Sequence, residues 1–68
     1  MNELKAIQTM LNGKIVQRRM VGKMFAQFKI ENNVMYMRYH DIAKDTYTKW
    51  EECDNSSLSG RGYKIVEE

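Results

Sequence analysis

The sequence is poor in the residues that stabilise very small domains. Its 68 residues include one cysteine, Cys53, one histidine, His40, and no proline. An internal disulfide is therefore impossible, and one chain cannot supply the Cys and His ligands of a structural zinc site. A chain of this length buries only about 60% of the surface that its unfolded form exposes. We expect one domain over residues 1–68, stabilised either by unusually good packing or by oligomerisation, of which we favour oligomerisation.

Long apolar runs are also missing. No stretch approaches the roughly 18 apolar residues of a membrane span. The first residues, MNELKAIQTML, carry an acid early and have no apolar run of signal-peptide length. A single cysteine suits a reducing compartment. These features predict a cytoplasmic protein that is not associated with a membrane.

Charge is distributed unevenly along the chain. Residues 1–38 hold seven Lys or Arg and two acids, whereas residues 39–68 hold four basic and seven acidic residues. The two balances, +5 and −3, give the formal net charge of +2. This uneven charge fits an N-terminal half that binds anions, or two halves that attract each other within or between subunits. It fits equally well two ordinary solvated faces.

The hydrophobic pattern predicts a helix followed by a strand. Asn2 suits an N-cap, and Asn12-Gly13 suits the end of a helix. The apolar positions between them form one stripe: Leu4, Ile7 and Leu11, with Ala6 and Met10 alongside. Residues 14–24 fit a strand or a continued helix, and the β-branched pair Ile15-Val16 favours a strand that ends in a turn at residues 21–23.

A β-hairpin is the clearest element, and residues 28–39 read FKIENNVMYMRY. Asn tolerates the positive φ that both central positions of a two-residue turn require, so Asn32-Asn33 sets the register. One face is then apolar or aromatic: Ala26, Phe28, Ile30, Met35, Met37 and Tyr39. The other face carries Phe25, Gln27, Lys29, Glu31, Val34, Tyr36, Arg38 and His40. A shift of the strand register by one residue would mix apolar and polar residues on both faces, so we predict that the first set faces the core.

Weaker patterns complete the predicted fold. Residues 47–53 and residues 63–66 alternate like strands, residues 40–46 fit a helical turn or a wide loop, and residues 55–62 have a loop composition. No β-α-β alternation is present. We therefore predict an α+β fold, in which one N-terminal helix packs on a small antiparallel β-sheet of about four to five strands.

The sequence contains no recognisable catalytic or metal-binding pattern. His40-Asp41 lacks the additional histidines of a metal-dependent hydrolase, and the neighbours Glu51 and Glu52 point to opposite faces of a strand. Acidic neighbours raise the pKa of Cys53, which disfavours a nucleophilic role. We predict that the protein is not an enzyme and uses neither a cofactor nor a metal.

The basic and aromatic face of the hairpin has three interpretations. Lys and Arg interleaved with aromatic rings suit stacked bases and phosphates. The same residue types suit a protein interface rich in Tyr and Arg. An antiparallel sheet also commonly leaves one face in water. The pattern alone leaves the three open.

Two segments resemble a known family. Residues 6–25, AIQTMLNGKIVQRRMVGKMF, combine a short helix, GK-[IV]-x-x-R, a Gly-Lys turn and a strand, and the chain closes with GRGYKIVEE. Both segments resemble the anti-Thoeris sponge family of small phage proteins. The chain departs from that family at Met20-Val21, where the family usually has Trp, and over residues 30–54, which lack its usual middle segment.

The resemblance implies a phage-type anti-defence protein that acts in the host bacterial cytosol. Members of the family place an N-terminal helix on an antiparallel sheet and form oligomers, typically tetramers. They sequester cyclic ADP-ribose-type signals made by TIR-domain proteins, without cleaving them. Under this hypothesis basic side chains hold phosphates, an aromatic ring stacks on the base, and pockets form between subunits. The expected ligand-binding residues are Lys14, Arg18, Arg19, Lys23, Tyr36, Arg38 and Trp50.

The alternative hypothesis is a small phage inhibitor that binds a macromolecule. Its target is a host or CRISPR protein, or nucleic acid, and its binding surface is the hairpin face with Phe25, Lys29, Tyr36 and Arg38. The hypotheses predict different mutational results. Replacing Arg18 and Arg19 by Ala abolishes a nucleotide sponge and leaves its oligomer intact. Replacing Tyr36 and Arg38 by Ala abolishes a face binder.

Overall fold

The computed structural model describes residues 1–66, which form one helix on one face of an antiparallel sheet. The elements are α1 (Glu3–Leu11), β1 (Ile15–Arg19), β2 (Met24–Glu31), β3 (Val34–Asp41), β4 (Thr46–Tyr47), β5 (Glu51–Cys53), a 3-10 helix (Asn55–Ser57) and β6 (Lys64–Val66). The strand order is β4-β3-β2-β1-β6, and β5 pairs with β3 beside β4. The predicted α+β fold is confirmed, with six short strands.

The predicted hairpin register is confirmed. Asn32 and Asn33 both have positive φ, 52° and 66°, so β2 and β3 are joined by the expected two-residue turn. Every predicted cross-strand pair is present, from Glu31 with Val34 to Phe25 with His40. Three members of the predicted core set are buried and three are half-buried against the core: Ala26, Phe28 and Met35, then Ile30, Met37 and Tyr39. We call this side of the sheet, which α1 covers, the helix face, and the other side the open face.

The helix begins and ends where the sequence predicts but is rotated from the expected orientation. Asn2 Oδ1 accepts a hydrogen bond from the Lys5 backbone N–H at 2.9 Å, which confirms the N-cap. However, Leu4 and Leu11 are 65% and 63% exposed. The residues of α1 that are buried are Ala6, Thr9 and Met10. The predicted Leu4–Ile7–Leu11 stripe is therefore not the buried face of the helix.

A contact between the two ends of the described chain accounts for this rotation. The ammonium group of Met1 donates to the Tyr63 carbonyl at 3.0 Å, and the Met1 carbonyl accepts from the Gly62 and Tyr63 N–H groups at 3.2 and 3.3 Å. These bonds fix the first turn of α1 beside the start of β6. The small side chain of Ala6, fully buried, then faces the sheet.

The core lies between α1 and the helix face and is closed by the loop before β6. It consists of eight buried residues: Ala6, Met10, Val16, Ala26, Phe28, Met35, Leu58 and Tyr63. The Tyr63 ring meets Phe28 edge-on at 6.1 Å, and its hydroxyl exchanges hydrogen bonds with the Ser59 backbone at 2.9 and 3.1 Å. The buried phenol is thus satisfied, as burial of a polar group requires.

The region between β3 and β5 differs from the prediction. β3 continues to Asp41 and is followed by a four-residue turn, and the strand predicted over residues 47–53 is two short strands separated by residues 48–50. Thr48 holds this break against β3, because its hydroxyl accepts from the Tyr39 N–H at 2.9 Å and its N–H donates to the Tyr39 carbonyl at 3.0 Å. Among residues 1–66, no helix is long and apolar enough to span a membrane.

Candidate ligand-binding site

Strand alternation places basic, amide and aromatic side chains together on the open face. The paired residues Gln17 and Gln27 face this side, as do Gln27 and Arg38 on the next pair of strands. Lys29 pairs with Tyr36 on the same side. Because α1 packs on the other face, these side chains surround one another without an overlying helix.

Arg38 is the centre of this group. Its Cζ atom lies 4.2 Å from the centroid of the Tyr47 ring and 4.4 Å from that of the Trp50 ring. Both distances are well within the roughly 6 Å range of cation–π attraction. The two rings therefore hold the guanidinium group in place and partly shield it from water.

The buried side-chain amide of Gln27 orients Arg38. Gln27 is only 2% exposed, although it lies on the open face. Its Oε1 accepts from Arg38 Nε at 2.8 Å, and its Nε2 donates to Gln17 Oε1 at 3.4 Å. Arginine has five N–H donors, and within residues 1–66 this is the one side-chain hydrogen bond that Arg38 makes. Its outer N–H groups are therefore available to a ligand.

Lys29 adds a second cation beside the same indole. Its Nζ lies 4.6 Å from the centroid of the Trp50 ring and 5.9 Å from that of Tyr36. The same ammonium group is 2.9 Å from Glu31 Oε1. An anionic ligand that approaches Lys29 must therefore compete with the Glu31 carboxylate.

These residues border a cavity of about 360 Å³ at the end of the sheet where α1 leads into β1. Its lining residues are Gly13, Lys14, Ile15, Lys29, Ile30, Glu31, Arg38 and Trp50. Three cationic side chains and one carboxylate give this lining an excess of positive charge. The volume falls within the range of small-molecule sites, roughly 300–1,000 Å³. A cationic cavity with an indole wall suits a ligand that combines phosphate and a flat ring.

Other hollows on the molecule have different chemistry. Two larger ones, of about 510 and 500 Å³, lie along β5 and the 3-10 helix, and both include Asp54. The larger also includes Glu51 and Glu52, so it repels an anion. A fourth, of about 300 Å³, is lined by Met20, Val21, Met24 and Tyr39. Of these four hollows in the described part of the chain, the Trp50 cavity is the one whose lining charge favours an anionic ligand.

The structure brings together some of the ligand-binding residues predicted from the sequence. Lys14, Arg38 and Trp50 line the same cavity. Tyr36 lies beside it, with its ring 5.9 Å from Lys29 Nζ.

The other predicted cations lie apart. Arg18 and Arg19 are neighbours on β1 and point to opposite faces, since Arg18 pairs with Ala26 of the helix face and Arg19 with Phe25 of the open face. Lys23 lies in the turn after β1, at the opposite end of that strand from Lys14. One chain therefore does not gather these four side chains around one phosphate.

Arg18 has a distinct environment beside the core. Its Cζ lies 5.9 Å from the centroid of the Tyr63 ring, and its Nε is buried without a hydrogen-bond partner within residues 1–66. A double replacement of Arg18 and Arg19 therefore changes two separate environments rather than one site.

Several residues of the site are absent from the predicted ligand-binding set. Lys29 belongs to the predicted open face but not to that set, and Gln17 and Tyr47 carry no sequence signal for the site. Tyr47 and Trp50 are three residues apart, so simple alternation puts them on opposite faces. The break at residues 48–50 resets the alternation and brings both rings to Arg38.

Cys53 and His40 lie outside the cavity. Burial raises the pKa of the Cys53 thiol, the Asp54 charge adds to this effect, and a hydrogen bond with Ser57 opposes it. The predicted direction is confirmed, although burial is the larger cause. His40 stacks on Tyr47, with ring centroids 4.2 Å apart, and its Nε2 is 3.0 Å from Asp45 Oδ1. In the described part of the chain, no three His, Cys, Asp or Glu residues are grouped to hold a metal ion.

Comparisons with protein-family models, with curated proteins and with solved structures found no match for this chain.

Proposed function

We propose that this protein is a non-enzymatic binding protein that sequesters an anionic nucleotide, with the base on Trp50 and the phosphates on Lys14, Lys29 and Arg38. The observation that supports this most directly is the cationic cavity of about 360 Å³ with an indole in its wall. A cyclic nucleotide immune signal fits this chemistry, because it carries phosphates and a purine ring together.

The arrangement of the cations favours phosphate over a single carboxylate. Arg38 is held at Nε by Gln27, which leaves the outer edge of its planar group for charge-assisted hydrogen bonds. Lys29 supplies a point charge beside the same ring, 4.6 Å from its centroid. Lys14, which directly precedes β1, also lines the cavity. Several donors around one cavity match the several oxygens of a phosphate or diphosphate.

Retention without cleavage is consistent with the acid–base groups of the cavity. Its lining has one carboxylate, Glu31, and that carboxylate is paired with Lys29 at 2.9 Å. General base catalysis needs a group that is within reach of the proton it removes and is free to accept it. Among the lining residues Glu31 has no second carboxylate or histidine to work with as an acid–base partner, which supports binding rather than turnover.

The biological setting of the proposal rests on the sequence resemblance to the anti-Thoeris sponge family. Under that proposal the protein is a phage-type anti-defence protein of the host bacterial cytosol, and it acts as a homo-oligomer. The marginal size of its core independently favours association of subunits.

Native mass spectrometry tests the proposed binding. The protein is measured alone, with a panel of cyclic ADP-ribose-type nucleotides, and with extract from cells that express an activated TIR-domain protein. We expect a bound mass of a few hundred daltons that is released unchanged. Lys29→Ala should weaken binding by about tenfold, because a hydrogen bond to a charged group contributes roughly 1.5–3 kcal/mol.

Lys5→Ala is the matched control, since Lys5 is an exposed lysine on α1, away from the cavity lining. It changes the net charge equally and should alter the affinity by less than about twofold, as expected for a distant charge in salt. No adduct from either the panel or the extract, or equal loss in Lys5→Ala and Lys29→Ala, would contradict the proposal.

The uncovered open face supports the alternative, a macromolecular target. Phe25 and Tyr36 lie on this face outside the cavity lining, and Arg19 pairs with Phe25 there. A flat basic and aromatic surface suits single-stranded nucleic acid. Binding to a single-stranded oligonucleotide that falls steeply between 50 and 200 mM salt, and that is lost in a Phe25→Ala/Tyr36→Ala variant, would favour this function.

A further inference from the structure

An apolar surface is exposed at the end of the sheet opposite the cavity. Val21, in the turn after β1, is 91% exposed, and Ile42 is 45% exposed. The N–H of Ile42 donates to the Lys23 carbonyl at 2.9 Å, so the two turns lie side by side. Two exposed cations, Arg19 and Lys23, flank Val21 in the sequence. We call residues 19–24 the basic tip.

The basic tip has the features of a contact surface. Val21 lines an apolar hollow of about 300 Å³ together with Met20, Met24 and Tyr39. Methionine side chains adapt readily to a partner, and exposed apolar surface rimmed by charge is typical of interaction sites. A tip of this kind is best complemented by a concave and acidic surface.

Such a surface exists on the other part of the same chain. A hollow of about 510 Å³ lies along β5 and the 3-10 helix, and we call it the acidic hollow. Its lining residues are Met37, Glu51, Glu52, Cys53, Asp54, Ser56 and Ser57. The hydroxyl and the backbone N–H of Ser56 hold the pKa of Asp54 below its usual value, so its charge persists in mild acid. On β5 the Glu51 side chain shares the face of Met37 and Cys53, so the Glu51 and Asp54 carboxylates lie beside their apolar atoms, and Glu52 adds a third negative charge from the other face of the strand.

Within residues 1–66, neither surface has its charges paired in an ion pair. In residues 1–66 the ion pairs are Lys29–Glu31 and His40–Asp45. Neither pair includes a cation of the basic tip or an acid of the acidic hollow. Contact between two basic tips, or between two acidic hollows, would bring like charges together. Contact between a basic tip and an acidic hollow brings opposite charges together.

We propose that the basic tip of one copy docks into the acidic hollow of a second copy, with Val21 against Met37 and Cys53, and with Arg19 and Lys23 among the carboxylates. This assigns an interface to the homo-oligomer of the proposed function but does not depend on the nucleotide. Contact between unlike surfaces closes reciprocally in a two-fold dimer or repeats into a ring or filament. The cavity lined by Lys14 and Trp50 is part of neither surface.

Charge reversal and mixing test this interface. The mass in solution is measured by light scattering during gel filtration at 50 mM salt and about 100 µM protein, for the wild type, Lys23→Glu and Glu51→Lys, since Glu51 is on the same face of β5 as Cys53. We expect the wild type to exceed the 8.1 kDa of one chain, and each variant to elute as a monomer. An equal mixture of the two variants should associate again, because each carries the surface that the other lacks. The wild-type assembly should weaken at 0.5 M salt, where charges are screened.

Controls keep the outcomes distinct. Lys5→Glu makes the same charge reversal on the exposed side of α1 and should leave the mass unchanged. Circular dichroism establishes that each variant is folded. A monomeric wild type, assembled Lys23→Glu and Glu51→Lys variants, or a mixture that stays monomeric would each overturn the proposal. Nucleotide binding by the monomeric variants is measured separately, so failure of the interface and failure of the binding function give different results.

Discussion

The two faces of the sheet are built from the same strands, but their buried side chains are covered in different ways. On the helix face Phe28 is fully buried among apolar side chains under α1. On the open face its neighbour Gln27 is also buried, yet it is an amide that is hydrogen-bonded to Arg38 and covered by cations and rings rather than by a helix. The helix face is the arrangement that stabilises a fold. The open face holds charged groups in fixed positions, which is the arrangement that a binding site needs.

Truncation of the core ring should give the largest effect. Phe28→Ala should lower the free energy of unfolding by about 3–5 kcal/mol, since it removes a fully buried aromatic side chain and leaves a cavity. That is most of the stability of a small domain. Urea unfolding followed by circular dichroism measures the change.

Phe25→Ala is the matched control, because it removes the same ring from the half-buried open face of the same strand. Its cost should be clearly smaller, about 1–2 kcal/mol. Equal losses in the two variants would show that the faces do not differ in the way described.

Replacement of the buried amide should lower both stability and binding. Gln27→Leu should reduce the free energy of unfolding by about 1–3 kcal/mol, because the new side chain fills the space but leaves Arg38 Nε without its acceptor. The nucleotide affinity should fall several-fold, since Arg38 loses the acceptor that orients it at 2.8 Å. Both quantities are measured on one preparation, by unfolding and by calorimetric titration.

Gln17→Leu provides the comparison for that experiment. It removes the weaker contact, at 3.4 Å, and leaves the bond between Arg38 and Gln27 intact. Its effect on affinity should be smaller. An unaltered affinity in Gln27→Leu would mean that Arg38 does not need this support.

The outer side of the helix should show the smallest effect. Leu11→Gln should alter the free energy of unfolding by no more than about 0.5 kcal/mol, because Leu11 is exposed. Met10→Ala, one position earlier and fully buried, should cost about 2–5 kcal/mol. Thermal unfolding of the two variants compares them, and a large loss in Leu11→Gln would show that the outer side of α1 is packed.

The hairpin was predictable because its determinants are local. The turn at Asn32-Asn33 and the alternation on either side of it fix the register without reference to the rest of the chain. The helix ends at Asn2 and Gly13 were predictable for the same reason, because each depends on residues close by in the sequence.

Features that depend on distant contacts were not predictable. The rotation of α1 follows from hydrogen bonds between Met1 and Tyr63, which are 62 positions apart. The site was only partly foreseen for the same reason. Arg38 and Trp50 were identified from their residue types, but Tyr47 reaches Arg38 only because the chain leaves the sheet between β4 and β5.

Fluorescence of the single tryptophan tests the central claim most directly. Trp50 is in the wall of the proposed cavity and within 5 Å of both Arg38 and Lys29. Titration with a cyclic ADP-ribose-type nucleotide should give a saturable change in Trp50 emission, and Arg38→Ala should abolish it while Lys5→Ala leaves it intact. Binding detected by mass without any change in Trp50 emission, or an undiminished change in Arg38→Ala, would contradict the assignment of this cavity as the ligand-binding site.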